Sequence, residues 1–255
     1  MSSVLVETAL DGKVLLIKLN RPHARNAVNG EMARALADVM DRLDGDPLLR
    51  LGILYGEGRG FSAGMDLKAF LDGDLPAVEG RGFGGFAQAP PRKPLIAAIE
   101  GFAVAGGLEM ALACDLIVAA RDAKLGLPEV KRSLIAAGGG LLRLAQRIPY
   151  HVAAEIALTG DSLPTQRLHE IGLINRLTEP GQALDEALSL AAQIVDNAPL
   201  ALEGTKLVLE GAGDWGMAEG WTKQHDVAVR VSSSDDAREG ATAFAERRQP
   251  VWQGR

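Results

Sequence analysis

Short apolar segments alternate with polar loops along the first third of the chain, and this pattern predicts an α/β fold. Residues 4–10 and 13–19 have the length and aliphatic content of strands, and the Asp11-Gly12 pair between them is typical of a hairpin turn. Residues 51–56 (LGILYG) form a continuous apolar run. We therefore expect a β-hairpin followed by a buried strand.

Apolar residues at helical spacing follow Asn29 and recur every three or four positions from Met32 to Leu43. Asparagine is a typical N-cap, so we expect a helix that begins just after Asn29. A short helix is predicted from Asp66, and from about residue 137 helices predominate. The remaining strands are predicted at 94–101 and 115–120, and the remaining helices at 106–113, 182–196, 199–210, 216–231 and 235–248.

Residues 73–93 are rich in glycine, proline and alanine and show no period. We expect a long loop of the kind that forms lids or is mobile in compact enzymes. No internal repeat is visible. The pattern thus divides the chain into a core region at 1–195, which carries the functional site, and a helical C-terminal region at 196–255.

Composition and charge exclude several classes of function. With 255 residues and one cysteine, Cys114, the chain is long enough to bury a core and cannot form an internal disulfide. Its net charge of −6 argues against a nucleic-acid partner. No targeting segment is visible, and the apolar stretch Pro94–Ala120 contains Glu100, Glu109 and Asp115, which argues against a membrane span. We expect a soluble, cytoplasmic protein.

One motif points to chemistry that the sequence does not otherwise support. GFSAG at 60–64 matches the nucleophile elbow of serine hydrolases, but the predicted strand ends near Tyr55, so Ser62 does not directly follow a strand. A serine hydrolase at Ser62 is therefore a distant alternative. The four histidines lie far apart without an i, i+4 pair, and no metal site is expected.

Two glutamates occupy positions where a carboxyl group can exchange protons. Glu109 lies in the first turn of the helix predicted at 106–113, and Glu129 follows the apolar segment LGLP. An apolar environment would raise the pKa of each carboxyl towards neutrality. In the alternative interpretation, Glu109 only complements the positive end of its helix and Glu129 is a surface residue.

Backbone N–H groups near these glutamates can bind a developing negative charge. Gly106-Gly107 places N–H groups without side chains at a helix start, and AGMD at 63–66 offers a second loop-to-helix corner. Two such donors that converge on one carbonyl oxygen form an oxyanion hole. A thioester that passes through an enolate requires this arrangement.

The chain contains, in this order, the strings GEGRGFSAGMDLKAF, PLIAAIEGFAVAGGLEMALACDLIVAA and LGLPEVKRSLIAAGGGLLRL. Together they resemble the crotonase superfamily, also called the enoyl-CoA hydratase/isomerase family. LNRPHARNAVN near the start and EGATAFAERRQPVW near the end are similar to the family's termini. The resemblance covers nearly the whole chain. It implies an α/β crotonase-like spiral of ββα units with C-terminal helices that build trimers, usually paired into hexamers.

The resemblance also implies roles for individual residues. The oxyanion donors correspond to the N–H groups of Met65 and Gly106. Glu109 corresponds to the glutamate that activates the water added at Cβ, and Glu129 to the one that supplies the proton to Cα. The substrate is an acyl-CoA thioester, as in fatty acid and lipid metabolism, and no metal or separate cofactor is implied. The residues that correspond to contacts with CoA or the acyl group are His23, Ala24, Arg25, Ala63, Asp66, Leu67 and Ala137, with Phe244 and Arg247 reaching the CoA of a neighbouring subunit.

The presence of both glutamates favours an enoyl-CoA hydratase over other members of the superfamily. Isomerisation of an enoyl-CoA and dehydration of a hydroxyacyl-CoA stay open as alternatives, as does an acyl-CoA-binding scaffold without turnover. Two residues depart from the family pattern. Met65 stands where a small residue is common, and AAGGG at 136–140 puts Ala137 where a glycine is expected beside the catalytic water.

Overall fold

A computed structural model describes residues 2–255 of the chain. The strands are β1 Val4–Ala9, β2 Val14–Leu19, β3 Leu51–Gly56, β4 Ala77–Val78, β5 Gly82–Phe83, β6 Leu95–Ile99, β7 Phe102–Val104, β8 Leu116–Ala120, β9 Lys124–Gly126, β10 Leu163–Pro164 and β11 Arg176–Thr178. The helices are α1 Gly30–Gly45, α2 Leu67–Leu71, α3 Gly106–Ala113, α4 Gly140–Arg147, α5 Tyr150–Thr159, α6 Thr165–Glu170, α7 Ala183–Val195, α8 Pro199–Gly211, α9 Met217–Ser232 and α10 Asp235–Glu246. Two 3₁₀ helices span Pro22–Ala24 and Pro128–Arg132.

A six-stranded sheet in the order β1-β2-β3-β6-β8-β11 forms the centre of the fold. Only β1 and β2 pair antiparallel in it, and the other neighbours are parallel. A second sheet has the order β10-β9-β7. The chain passes from β6 in the large sheet to β7 in the small sheet and then into α3, and it passes from β8 to β9 in the same way. This confirms the predicted α/β spiral of ββα units.

Both faces of the large sheet are covered, which explains why its parallel strands read as continuous apolar runs. In β2, Leu15 and Ile17 belong to the core on one face, where α1 and α3 pack. Val14 and Leu16 belong to the core on the opposite face, where α7 packs. Successive side chains of a strand point to opposite faces, so the four residues Val14–Ile17 are all apolar.

Most predicted elements are confirmed within one or two residues. The hairpin turn contains Leu10, Asp11 and Gly12 at positive φ values of 48°, 57° and 80°. The predicted N-cap is also present, since the Asn29 side chain accepts a hydrogen bond from the Met32 N–H at 3.1 Å. Both features depend on residues close in sequence, which is why the sequence predicts them well.

Residues 73–93 contain more structure than the predicted long loop. They include the β4–β5 hairpin, which is held against α1. The Asp74 carboxylate accepts a hydrogen bond from the Gly30 N–H at 3.0 Å, and Arg81 pairs with Asp41. The hairpin has only two paired residues in each strand, too few to produce a period in the sequence.

Within residues 2–255, no helix combines the length and the apolar content that crossing a bilayer requires.

Candidate active site

The turn between β7 and α3 positions a backbone donor. Ala105 has φ 53° and ψ −131°, a conformation that a residue with a side chain adopts only when the surrounding structure imposes it. Its own N–H donates to the Gly126 carbonyl at 3.0 Å. Gly106 follows as the first residue of α3, where the N–H group has no acceptor within the helix. Across residues 2–255, no other group accepts a hydrogen bond from it.

The loop around Gly64 brings a second N–H group to the same place. The Val28 N–H donates to the Gly64 carbonyl at 2.7 Å, and the Asp66 N–H donates to the Val28 carbonyl at 2.9 Å, so this pairing leaves out the N–H of Met65. A Cβ at Gly64 would lie 2.7 Å from the Gly106 nitrogen, which shows how closely this loop approaches α3. The loop that carries the Met65 N–H thus lies against the start of α3, which carries the Gly106 N–H.

Ser62, two residues before Gly64, is fully buried. Its Oγ donates to the Asn26 carbonyl at 2.8 Å and accepts from the Gly64 N–H at 3.1 Å. Both hydrogen bonds hold the loop that carries Met65. The alternative in which Ser62 is a hydrolase nucleophile is therefore wrong, because such a nucleophile must be exposed to its substrate.

Glu109 lies in the first turn of α3 and is only 4% exposed. Its Oε1 accepts a hydrogen bond from the Gly140 N–H at 3.0 Å, so the carboxyl group is bound by a different element and does not cap its own helix. Burial raises the pKa of Glu109 from 4.5 to about 7, the N–H groups of Gly140 and Gly138 oppose this increase, and the negative charge of Glu129 adds to it. The carboxyl group can therefore gain or lose a proton near neutral pH.

Glu129 lies at the second position of the 3₁₀ helix Pro128–Arg132 and is half-buried. Its Oε2 is shielded from solvent and makes no hydrogen bond within residues 2–255. Burial raises the pKa of this carboxyl group as well. These properties differ from those of a surface residue, since a buried oxygen without a partner is available to a bound molecule.

Phe83 and the glycines at 138–140 belong to the site, although the sequence did not single them out. A Cβ at Gly106 would lie 2.3 Å from the Phe83 ring, so the ring lies directly against the first residue of α3. A Cβ at Gly138 would lie 2.7 Å from the Glu109 Oε2 and 3.0 Å from the Phe83 Cβ. Phe83 therefore forms a wall between the N–H donors and the loop that binds Glu109.

Ala137, which departs from the family pattern, is exposed one residue before this contact. Gly138 and Gly140, rather than Ala137, pack against the Glu109 carboxyl group. In the sequence, Gly138 and Gly140 are visible only as part of a run of three glycines. Such a run does not show which side chain the glycines pack against.

The structure brings together most residues predicted to contact CoA. His23 and Ala24 lie in the 3₁₀ helix Pro22–Ala24, and the carbonyl of Arg25 accepts a hydrogen bond from the Ala63 N–H at 3.0 Å. The side chains of His23 and Arg25 are exposed. Leu67 is 44% exposed at the start of α2.

Asp66 has a structural role at this corner. It caps α2 by accepting hydrogen bonds from the Lys68 and Ala69 N–H groups at 3.1 and 3.3 Å, and it pairs with Arg21 at 2.9 Å. Burial on its own would raise the pKa of Asp66, but these partners together lower it. The carboxylate therefore stays charged and links the start of α2 to Arg21.

Phe244 and Arg247 lie apart from this group. α10 packs mainly against α9 and the C-terminal residues, and Phe244 is 88% exposed. Arg247 ends α10 with an exposed side chain. Within one chain, the structure does not bring these two side chains to the other predicted residues.

Comparisons with known proteins identify similar sequences and folds. Residues 10–255 match the family model described as enoyl-CoA hydratase/isomerase. The chain is 40% identical to enoyl-CoA hydratase EchA19 of Mycobacterium tuberculosis, over 96% of this chain and 94% of the relative. It is 38% identical to a carnitinyl-CoA dehydratase of Proteus mirabilis, over 96% of both chains. A crystal structure of enoyl-CoA hydratase from Mycobacterium tuberculosis is 56% identical and matches all of both chains with a TM-score of 0.97.

Proposed function

The chain belongs to the enoyl-CoA hydratase/isomerase family, the crotonase superfamily, and on this premise we propose that it is a hydro-lyase that adds water across the double bond of a trans-2-enoyl-CoA. One observation carries the proposal. The buried Glu109 carboxyl group, with its pKa near 7, lies in the first turn of the helix whose N-terminus presents the Gly106 N–H.

The oxyanion hole acts on the thioester. Its carbonyl oxygen accepts hydrogen bonds from the N–H groups of Met65 and Gly106, which polarises the conjugated double bond and makes Cβ electrophilic. Negative charge develops on this oxygen as the enolate forms, and each donor of this kind contributes about 10²–10³ in rate. The unusual backbone of Ala105 supports this role, because it holds the donor in place before substrate binds.

The two glutamates handle the water and the proton. Glu109 takes a proton from the water that attacks Cβ, since a base with a pKa near 7 accepts protons efficiently at neutral pH. Glu129 supplies the proton to Cα, and its unpartnered Oε2 supports a direct contact with the substrate. CoA is part of the substrate, and the proposal requires no separate cofactor. His23, Ala24, Arg25, Ala63 and Leu67 contact the CoA portion, and Phe244 and Arg247 of a neighbouring subunit complete its site.

A second candidate is dehydration of a hydroxyacyl-CoA, which is the same reaction in reverse. The similarity to a carnitinyl-CoA dehydratase favours it over isomerisation. Both directions use the same donors and the same two glutamates, so the substrate determines which one is observed.

The direct test is to mix the purified protein with trans-2-enoyl-CoAs of increasing chain length and to follow the loss of the conjugated enoyl absorbance. We expect loss with the wild type and a rate about 10²–10⁴-fold lower with Glu129→Gln. The same assay with hydroxyacyl-CoAs, read as a gain of absorbance, tests the reverse direction. The proposal is wrong if the wild type binds these thioesters and turns over none of them in either direction.

We also propose that the chain assembles into trimers, alone or paired as hexamers, through its helical C-terminal region at 196–255. α9 has no buried residue although it carries Trp221 and Met217, which are 65% and 80% exposed. A helix that exposes several large apolar side chains and buries none is typical of an element that packs against another subunit. Light scattering should give three or six times the mass of one chain, and Trp221→Glu should lower it. A monomer at micromolar concentration would contradict this assembly.

A further inference from the structure

The glycine loop that binds Glu109 has few interactions of its own. Gly139 has φ 95°, a left-handed conformation that favours glycine, and no side chain caps the start of α4. The loop therefore depends on its neighbours to keep the Gly140 N–H directed at the Glu109 carboxyl group.

Arg143 is the side chain that packs against this loop from within α4. A Cβ at Gly139 would lie 2.5 Å from the Arg143 Nη1, so the guanidinium group lies directly against the loop backbone. Its Nη2 donates a hydrogen bond to the Ala87 carbonyl at 2.6 Å. Ala87 follows the β4–β5 hairpin, and its N–H donates to the Phe83 carbonyl at 3.1 Å. One guanidinium group thus connects the glycine loop with the segment that carries the Phe83 wall.

Arg143 also supplies positive charge close to Glu109. The charged groups that act on Glu109 are Glu129, which raises its pKa, and Arg143, which lowers it. Arg143 itself faces Arg147 on its own helix, Glu210 on α8 and the thiol of Cys114, and burial lowers its pKa. An arginine nevertheless keeps its proton in proteins, so this charge is permanent.

We propose that Arg143 is a positioning residue, whose guanidinium group fixes the 138–140 loop against the Glu109 carboxyl group and places a permanent positive charge near it. The consequence for catalysis rests on the proposed function, in which Glu109 is the base. The effect on the carboxyl group itself does not.

The test compares Arg143→Met, Arg143→Lys and Arg147→Met by infrared titration. Loss of one protonated-carboxyl band in Glu109→Gln identifies the signal of Glu109. We expect Arg143→Met to move the titration of this signal to higher pH, because an opposite charge that favoured the ionised form is gone and the loop no longer holds the Gly140 N–H at the carboxyl group. Arg147→Met is the matched control. Arg147 lies one turn further along α4 and makes only a 3.5 Å hydrogen bond to the Cys114 carbonyl, so we expect no shift.

Kinetics separate charge from geometry. Arg143→Lys keeps the charge but cannot bridge Gly139 and Ala87. A weakened Gly140 hydrogen bond should therefore move its Glu109 titration to higher pH, by less than in Arg143→Met, while kcat falls about tenfold at unchanged KM. The proposal is overturned if Arg143→Met leaves the Glu109 titration in place, or if Arg147→Met moves it equally. If Arg143→Met does not fold, Arg143→Lys decides alone, and a wild-type kcat overturns the proposal.

The infrared titration needs no substrate. A wild type that turns over no enoyl-CoA would therefore refute the proposed function, while the titration still decides the role of Arg143.

Discussion

Glu109→Gln should lower kcat for hydration about 10²–10⁴-fold, because an amide cannot accept the proton of the attacking water. Binding of CoA thioesters should change little, since the proposed mechanism assigns this side chain to the reacting carbons and not to the CoA portion. Steady-state rates on the best enoyl-CoA, with product affinity measured by calorimetry, test both statements.

Glu100→Gln is the matched control. Glu100 is also a partly buried glutamate in the same apolar stretch, but its carboxylate accepts hydrogen bonds from the Gly181 and Ala183 N–H groups at 3.0 and 2.8 Å, near the start of α7. We expect a wild-type kcat for this variant. Equal losses in Glu109→Gln and Glu100→Gln would mean that the kinetic effect reflects damage to the fold.

Glu109→Gln should also make the free energy of unfolding less dependent on pH. The pKa of Glu109 is about 7 in the folded state and 4.5 as its ordinary value, so the folded state binds more protons between these two pH values. The stabilisation by the protonated carboxyl group is therefore complete below pH 4.5 and is lost as pH rises through 7. This loss is on the order of 3 kcal/mol in the free energy of unfolding. Urea denaturation at pH 5 and pH 8 measures the free energy of unfolding of both proteins. Relative to the wild type, Glu109→Gln should be more stable at pH 8 than at pH 5. The same difference in stability at both pH values would contradict the assigned ionisation.

Gly138→Ala should lower kcat about 10–10²-fold, although both glutamates are kept. Misplacement of a base by about 1 Å has an effect of this size. The added Cβ would lie 2.7 Å from the Glu109 Oε2 and 3.0 Å from the Phe83 Cβ, so the carboxyl group has to move. Gly138 does not have a positive φ, and alanine therefore causes no backbone strain at this position.

Ala137→Gly provides the comparison for that variant. Ala137 is exposed, so the removal of its methyl group should leave kcat within about threefold of wild type, as expected for a surface substitution. If Ala137→Gly changes kcat more than Gly138→Ala does, the residue beside the reacting water is Ala137 rather than Gly138.

The elements that the sequence predicts best are those with local causes. α7 was predicted at 182–196 and spans Ala183–Val195, because its apolar residues repeat at helical spacing against one face of the sheet. The N-cap Asn29 and the hairpin turn around Asp11 depend on residues only a few positions away. The β4–β5 hairpin has no such local signal, since the contacts with α1 hold it in place.

The candidate site also has features that can be read along the sequence and features that depend on tertiary contacts. Residue types and spacing by themselves indicated two glutamates and two N–H corners near predicted helix starts and apolar segments, because such local features can be read along the chain. The resemblance to the crotonase superfamily then implied the roles of Glu109, Glu129, Met65 and Gly106. Tertiary structure alone decided that Ser62 is buried, that Phe83 reaches the Gly106 corner and that Arg143 supports the loop which binds Glu109. The hydrogen bond to Glu109 comes from 31 residues away and that from Arg143 to Ala87 spans 56 residues. Burial and neighbouring charges set a pKa, and both exist only after these distant segments have packed together.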